Sequence, residues 1–201
     1  MGARVIKDKQ TIRAQQEGLR ARSAYKLKEL QKKYQFLNKA IHVLDLGCWP
    51  GGWSIVAAKY APVTAVDITF MKAIPNVTFI QEDLFEKKLL EQLPAADVVL
   101  SDAAPKTVGD SRDQYISYLL CMRALEIALH KLRTGGSLIV KIFQGEDFEK
   151  FLLLTRKYFS FVKCTKPPTS KNSSKEMYVV AMGYTPREQS YEEFKKIFEE
   201  E

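Results

Sequence analysis

A lysine inside an apolar run is the residue of this chain whose placement most demands a chemical reason. Lys141 stands in Leu138-Ile139-Val140-Lys141-Ile142-Phe143, and an ammonium among such neighbours is costly unless it is paired or neutral. A neutral amine in a cleft is a proton acceptor. Asp102 ends another apolar run, in Leu100-Ser101-Asp102-Ala103-Ala104-Pro105, and is the natural counter-charge. The bland reading of Lys141 is a side chain facing water on an edge strand; the chemical one is an amine aimed into a cleft beside Asp102. Glu176, in Ser174-Lys175-Glu176-Met177-Tyr178, and Lys26, in a basic segment, are ambiguous. Singly, they read as a strand-end charge and a solvated helix face.

A second constellation is a turn, Asp45-Leu46-Gly47-Cys48-Trp49-Pro50-Gly51-Gly52-Trp53. Gly47 and Gly51 let backbone approach a ligand without a Cβ in the way, and Pro50 stiffens the turn between them. Asp67 follows 20 residues after Gly47, where a carboxylate can accept both hydroxyls of a nucleoside ribose. Asp83, in Gln81-Glu82-Asp83-Leu84, can face an adenine amino group. Dinucleotides and S-adenosylmethionine both use such a site, and the spacing to the ribose carboxylate is common to both. The turn lacks the second glycine of the pyrophosphate-binding G-x-G-x-x-G pattern, which favours S-adenosylmethionine over a dinucleotide or a purely structural turn.

These residues need strand ends to hold them. Apolar runs at 42–46, 63–67, 77–80, 97–100 and 137–143 read as strands, with helices at 53–60, 86–93, 113–132 and 147–158. Gly135-Gly136 reads as the stop of the long helix. A basic helix runs from Arg22 to Tyr34, with Ala24, Leu27, Leu30 and Tyr34 on one stripe and Lys26, Lys28, Lys32 and Lys33 on the others. Alternating strands and helices predict an α/β, Rossmann-like fold with a mostly parallel sheet and helices on both faces. Residues 159–166 and 177–184 are two closing strands, and the connection 167–176 is too short for a helical crossover, so they form an antiparallel pair. The expectation is thus seven strands with the last one antiparallel. The predicted divisions are a flexible basic arm over 1–20, a catalytic domain over 21–185 and a charged tail over 186–201, whose Phe194, Ile197 and Phe198 suggest a docked helix.

The 201 residues, 46% hydrophobic, suffice for one domain with a sizeable core. Cys48, Cys121 and Cys164 are scattered and lack C-x-x-C spacing, which argues against a disulfide framework or metal site and for a reducing, cytoplasmic setting. No apolar run approaches the ~20 residues that span a bilayer, so no membrane association is expected, and the N-terminus has no secretory apolar core. The net charge of +7 is polarised: residues 1–40 carry 11 Lys/Arg against 3 Asp/Glu, and the remainder sums to −1. Such a basic field suits a polyanion, nucleic acid first.

Taken together, the motifs resemble the FtsJ family of ribosomal-RNA 2′-O-ribose methyltransferases, over about Gly18 to Tyr184. Arg20-Ala21-Arg22-Ser23-Ala24-Tyr25-Lys26-Leu27 is similar to the family's arginine-rich opening, and Asp45-Leu46-Gly47 with Pro50-Gly51-Gly52-Trp53-Ser54 to its cofactor turn. Ser101–Pro105, Val140–Gly145 and Ser173–Tyr178 are similar to its later motifs, with Ala103 where Met is commoner and Trp49 where a small residue is usual. The resemblance implies a catalytic tetrad of Lys26, Asp102, Lys141 and Glu176. It implies S-adenosylmethionine contacts at Gly47, Pro50, Gly51, Trp53, Asp67, Asp83 and Asp102, and no metal. Arg20, Arg22 and Lys26 are the expected RNA contacts, and the partner is ribosomal RNA or the large ribosomal subunit, bound by a monomer. Transfer RNA or a messenger-RNA cap are alternative substrates, and a non-catalytic RNA-binding module or a nicotinamide-dependent reductase are rival functions.

Overall fold

The computed structural model describes residues 16–105, 111–170 and 175–186. Most of the basic arm and the tail from 187 lie outside the described residues, and with them the expected docked helix.

Seven strands form one sheet: β1 (Val43–Leu46), β2 (Val63–Asp67), β3 (Val77–Gln81), β4 (Ala96–Ser101), β5 (Leu132–Phe143), β6 (Phe159–Thr165) and β7 (Glu176–Tyr184). Their order is β3-β2-β1-β4-β5-β7-β6. Every pair is parallel except those made by β7, which runs antiparallel to both β5 and β6. The order reverses between β1 and β4, and both strands point their carboxyl ends at the crevice where open α/β sheets bind ligands. The helices are α1 (Ser23–Tyr34), α2 (Gly52–Ala57), α3 (Leu89–Gln92), α4 (Ser111–Lys131) and α5 (Phe148–Arg156).

Strand periodicity divides the core in two. Leu44, Leu46, Val99, Leu138, Val140 and Ile142 face α4 and α5, in a cluster with Met122, Leu125 and Phe151. Val43, Val98, Leu100, Ile139, Tyr178 and Val180 face the other way, toward Leu27 and Leu30 of α1 and Trp53 and Val56 of α2. Lys141 alternates with Ile142 and so falls on the second face, under α1. β1 is buried on both faces, as an interior parallel strand must be.

Two expected boundaries move for physical reasons. Gly135-Gly136 does not end the long helix, which stops at Lys131. Leu132 already pairs with Ala96, and the ladder resumes only at Val98–Ser137, so the glycines form a bulge. Gly135 has φ +83°, and a Cβ on Gly136 would lie 2.8 Å from the Arg133 carbonyl and 3.0 Å from that of Asp97. The helices expected over 53–60 and 86–93 shrink to 52–57 and 89–92, because each is a single turn or two joining closely spaced strands.

Among the described residues no helix is long and apolar enough to cross a membrane. Phe151 is fully buried under α5 whereas Leu153 on the same helix is 61% exposed. Phe151→Ala is therefore expected to destabilise the fold by about 3–5 kcal/mol, and Leu153→Ala by less than about 0.5 kcal/mol, read by chemical denaturation. Equal losses would contradict this assignment of the core.

Candidate active site

The parallel register of β4 and β5 pairs Ser101 with Val140, so Asp102 and Lys141 are the next residues of adjacent chains at the carboxyl edge. The Lys141 ammonium lies 3.0 Å from Asp102 Oδ1 and donates to the Asp102 carbonyl at 2.5 Å. Lys141 is only 8% exposed. β5 is flanked by β4 and β7, so the water-facing edge-strand reading fails.

The reversed strand β7 brings its first residues to the same edge. Phe143 pairs with Glu176 and Lys141 with Tyr178, and Glu176 and Tyr178, two residues apart, share a face. Lys26 reaches down from α1 to donate to Glu176 Oε2 at 2.7 Å. It is buried, which corrects its solvated-face reading: its stripe of α1 is turned into the protein. Tyr178 joins the two ion pairs. Its hydroxyl donates to Asp102 Oδ1 at 3.0 Å, its ring lies 5.5 Å beneath the Lys26 ammonium, and Trp53 packs against it at 5.8 Å. Burial, and then the charges of Asp102 and Glu176, hold the Tyr178 phenol well above its ordinary pKa, so it stays a neutral donor. Arg22 is close enough to oppose that shift.

The glycine turn lies across the ends of β1, β2 and β4. A Cβ on Gly47 would meet that of Ala103 at 2.5 Å, and one on Gly51 would meet Ile74 Cδ1 at 2.7 Å; both glycines have positive φ, at +69° and +104°. The turn is sewn to β2 through Asp67, whose two oxygens accept from the backbone N–H groups of Trp49 and Thr69, each at 2.8 Å. Asp83 is exposed and accepts from the Phe85 N–H at 3.0 Å. Pro50 follows a cis peptide bond. Beneath the turn, Asp45 is completely buried. Its Oδ2 accepts from Ser54 at 2.5 Å, while its Oδ1 has no hydrogen-bond partner among the described residues.

The model of the FtsJ-like methyltransferases matches residues 19–184. The chain belongs to that family. It is 40% identical to a Ribosomal RNA large subunit methyltransferase E from Pseudomonas fluorescens, over 92% of this chain and 93% of that one. It is 43% identical to one of the same name from Oleidesulfovibrio alaskensis, over 89% and 92%. A solved Plasmodium falciparum chain described as a ribosomal RNA methyltransferase superposes with a TM-score of 0.74 at 33% identity, covering 84% of this chain and all of that one.

In this member of the FtsJ-like methyltransferases the four residues of the expected tetrad come together as two ion pairs. Arg20 is placed differently: its guanidinium donates to the carbonyls of Lys72 at 2.6 Å and Ala73 at 2.8 Å, clamping the loop after β2. The Trp53 indole is buried, with its N–H given to the Ser23 carbonyl at 3.0 Å, so it braces α1 against Tyr178. Two residues escaped the sequence reading. Tyr178 could have been found by strand alternation from Glu176. Asp45 could have been found as Lys141 was, as a charge inside an apolar run.

Burial, opposed by the Ser54 hydrogen bond and reinforced by Asp102 and Asp67, raises the Asp45 pKa from 3.8 to about 7. The native carboxyl keeps a proton that the unfolded chain releases near 3.8. Its contribution to stability is complete below that value and is lost as pH rises toward 7. Asp45→Asn should therefore flatten the stability–pH curve between about 4 and 7 by up to about 1.4 kcal/mol per pH unit, measured by urea unfolding. Parallel curves for the two proteins would show that Asp45 is ionised when buried.

Proposed function

We propose that this chain is an S-adenosylmethionine-dependent RNA 2′-O-ribose methyltransferase acting on large-subunit ribosomal RNA, with Lys141 as the base. The observation that carries the proposal is a buried amine, fixed by Asp102, at the carboxyl edge of the sheet beside a glycine turn ringed by carboxylates. The names of the relatives support the ribosomal substrate, and the basic balance of residues 1–40 supports RNA over a small molecule.

The residues present fit this methyl donor better than a dinucleotide. Asp45, Asp67 and Asp102 are close enough that the last two raise the pKa of the first. With Asp45 protonated below about pH 7 and Asp102 paired with Lys141, Asp67 is the carboxylate of the three that disfavours a pyrophosphate and favours a cation. The positive φ of Gly47 and Gly51 and their close packing against Ala103, Ile74 and Met71 shape the turn whose backbone would face the donor. Gly47, Pro50, Gly51, Trp53, Asp67, Asp83 and Asp102 are the residues that would hold it. When bound there, S-adenosylmethionine supplies a methyl group already made electrophilic by a sulfonium.

The protein supplies position and proton transfer. In its neutral form the Lys141 amine would accept the proton of a ribose hydroxyl set against it, while the donor would supply the methyl carbon for the new O–C bond and keep the electron pair of its broken S–C bond. The resulting ammonium finds two oxygens of Asp102 already in place. Tyr178, held neutral, cannot compete as the base; it orients Asp102 instead. Glu176 anchors Lys26, which leaves a second cation beside the reacting oxygen to bind a neighbouring phosphate. Arg22, on the first turn before α1, is placed for the same task, and Arg20 has donors beyond its two carbonyl contacts. The catalytic unit is proposed to run from 21 to 185, with the basic arm and charged tail as its flanks.

Lys141→Ala is expected to lower methyl transfer to ribosomal RNA by at least about 100-fold while cofactor affinity changes by less than threefold. Near-normal turnover would remove Lys141 from the mechanism. Asp67→Ala should instead weaken S-adenosylmethionine binding about tenfold or more, followed by calorimetry, with a smaller loss of rate at saturating cofactor. Stabilisation against heat by NAD(P) rather than by S-adenosylmethionine would overturn the cofactor assignment.

A further inference from the structure

We propose that Trp49 and Phe70 form a stacking seat for an unpaired base of the RNA substrate, beside the methyl-transfer site. This rests on the RNA-methyltransferase reading above and adds a specificity element to it.

Of the two tryptophans, Trp53 is buried at 2% exposure whereas Trp49 is 56% exposed, and Phe70, from the loop after β2, is 67% exposed. Scattered exposed apolar residues need no explanation, but these two line one cleft of about 560 Å³. That volume lies within the roughly 300–1,000 Å³ usual for small-ligand sites. Gly18, Arg20, Pro50 and Lys72 complete most of the wall. The Phe70 ring and the Trp49 backbone are held in place. Phe79 braces Phe70 edge-on at 6.2 Å and 84°, and the Trp49 backbone is tied to Asp67.

The charge of this cleft is opposite to that of the cofactor crevice. Its lining includes Arg20 and Lys72 and no carboxylate, and of the expected cofactor contacts it shares only Pro50. Arg20 is pinned by the Lys72 and Ala73 carbonyls, so a cation is fixed next to the rings without needing the ligand to order it. Rigid π-faces beside fixed cations are how proteins hold single-stranded nucleic acid: bases stack and phosphates pair. Charge complementarity therefore selects a nucleotide over an apolar peptide or lipid chain. The cleft is also linked to the tetrad along the chain. Trp49 and Trp53 stand at opposite ends of one turn, and Arg20, Arg22 and Lys26 follow one another along the chain toward Glu176. A nucleotide seated here is thus within the same RNA segment as the ribose that meets Lys141.

The test uses the full chain. Trp49 fluorescence is titrated with a short unpaired oligoribonucleotide and with the same sequence as a duplex, Trp49→Ala serving as the blank. Quenching is expected with the unpaired strand and much less with the duplex. Trp49→Ala and Phe70→Ala should each raise the RNA Kd, and the KM for RNA in methyl transfer, about tenfold; stacking on one aromatic side chain corresponds to roughly 5- to 150-fold. Trp49→Tyr should recover most of the loss, and Leu153→Ala should behave as the parent. An unchanged RNA Kd in Trp49→Ala overturns the seat, as does a fall in S-adenosylmethionine affinity equal to that for RNA, which would place the cofactor on Trp49. Quenching by anionic lipid vesicles but not by RNA overturns it in favour of a membrane contact. Failure of the parent protein to methylate ribosomal RNA counts against the function above, whereas the fluorescence and Kd measurements judge the seat without any turnover.

Discussion

A lysine ammonium buried on an interior strand must be compensated, and the rest of the site follows from that requirement. Lys141 is only 8% exposed between β4 and β7, so most of its charge has to be met by oxygen at the carboxyl edge. β4 meets it with both the carbonyl and the carboxylate of Asp102. The same carboxylate oxygen accepts from Tyr178, and the ring of Tyr178 carries Lys26 above it, itself neutralised by Glu176. Two ammoniums and two carboxylates thus sit in balance around one phenol. Buried ion pairs of this kind contribute little to stability compared with well-packed apolar side chains. Their cost is therefore better explained by chemistry than by folding, as perturbed charge clusters in clefts generally are.

The one antiparallel strand is what makes the cluster possible. In a sheet of parallel strands, only carboxyl ends reach the ligand crevice. β7 is inserted between β5 and β6 in reverse, so its amino-terminal end arrives there instead. Glu176 opens the strand and Tyr178 follows on the same face, directly across from Lys141. Were β7 parallel, Tyr184 would lie at that edge and the two ion pairs would have no bridge. Instead, the Tyr184 hydroxyl is given to the Leu129 carbonyl at the far side of the sheet.

Strand positions were legible from apolar runs because a parallel sheet buried on both faces writes itself as uninterrupted hydrophobic stretches. The reversed β7 was legible too, from a connection too short to cross the sheet. The pairing of Lys141 with Asp102 could be read for the same reason that made them conspicuous: charge where burial is dictated. Lys26 could not be read this way, since a helix that buries three and four apart leaves its fourth position ambiguous until the partner on β7 is known. Helix ends were harder. Gly135-Gly136 carries the composition of a helix stop, yet pairing of Leu132 with Ala96 ends α4 first and turns the glycines into a bulge. Arg20 shows what charge patterning leaves out: a basic residue in a basic run reads as a phosphate ligand, and its additional anchoring to the loop carbonyls of Lys72 and Ala73 is visible only in the fold.

On the proposed function, two substrates of opposite charge meet at one edge of this sheet, and the glycine turn lies between their fields. On one side of it lie Asp45, Asp67 and Asp102, a cluster acidic enough that burial and mutual repulsion hold Asp45 protonated up to about pH 7. On the other side lies Arg20, against Gly51. A Cβ at Gly47 would collide with Ala103 and one at Gly51 with Met71 and Ile74. Glycine at these positions lets the turn lie directly against those side chains. The proposed transfer between a cationic donor and a polyanionic acceptor would need the two ligands to meet across this turn, since reacting atoms must come within about 3–3.5 Å.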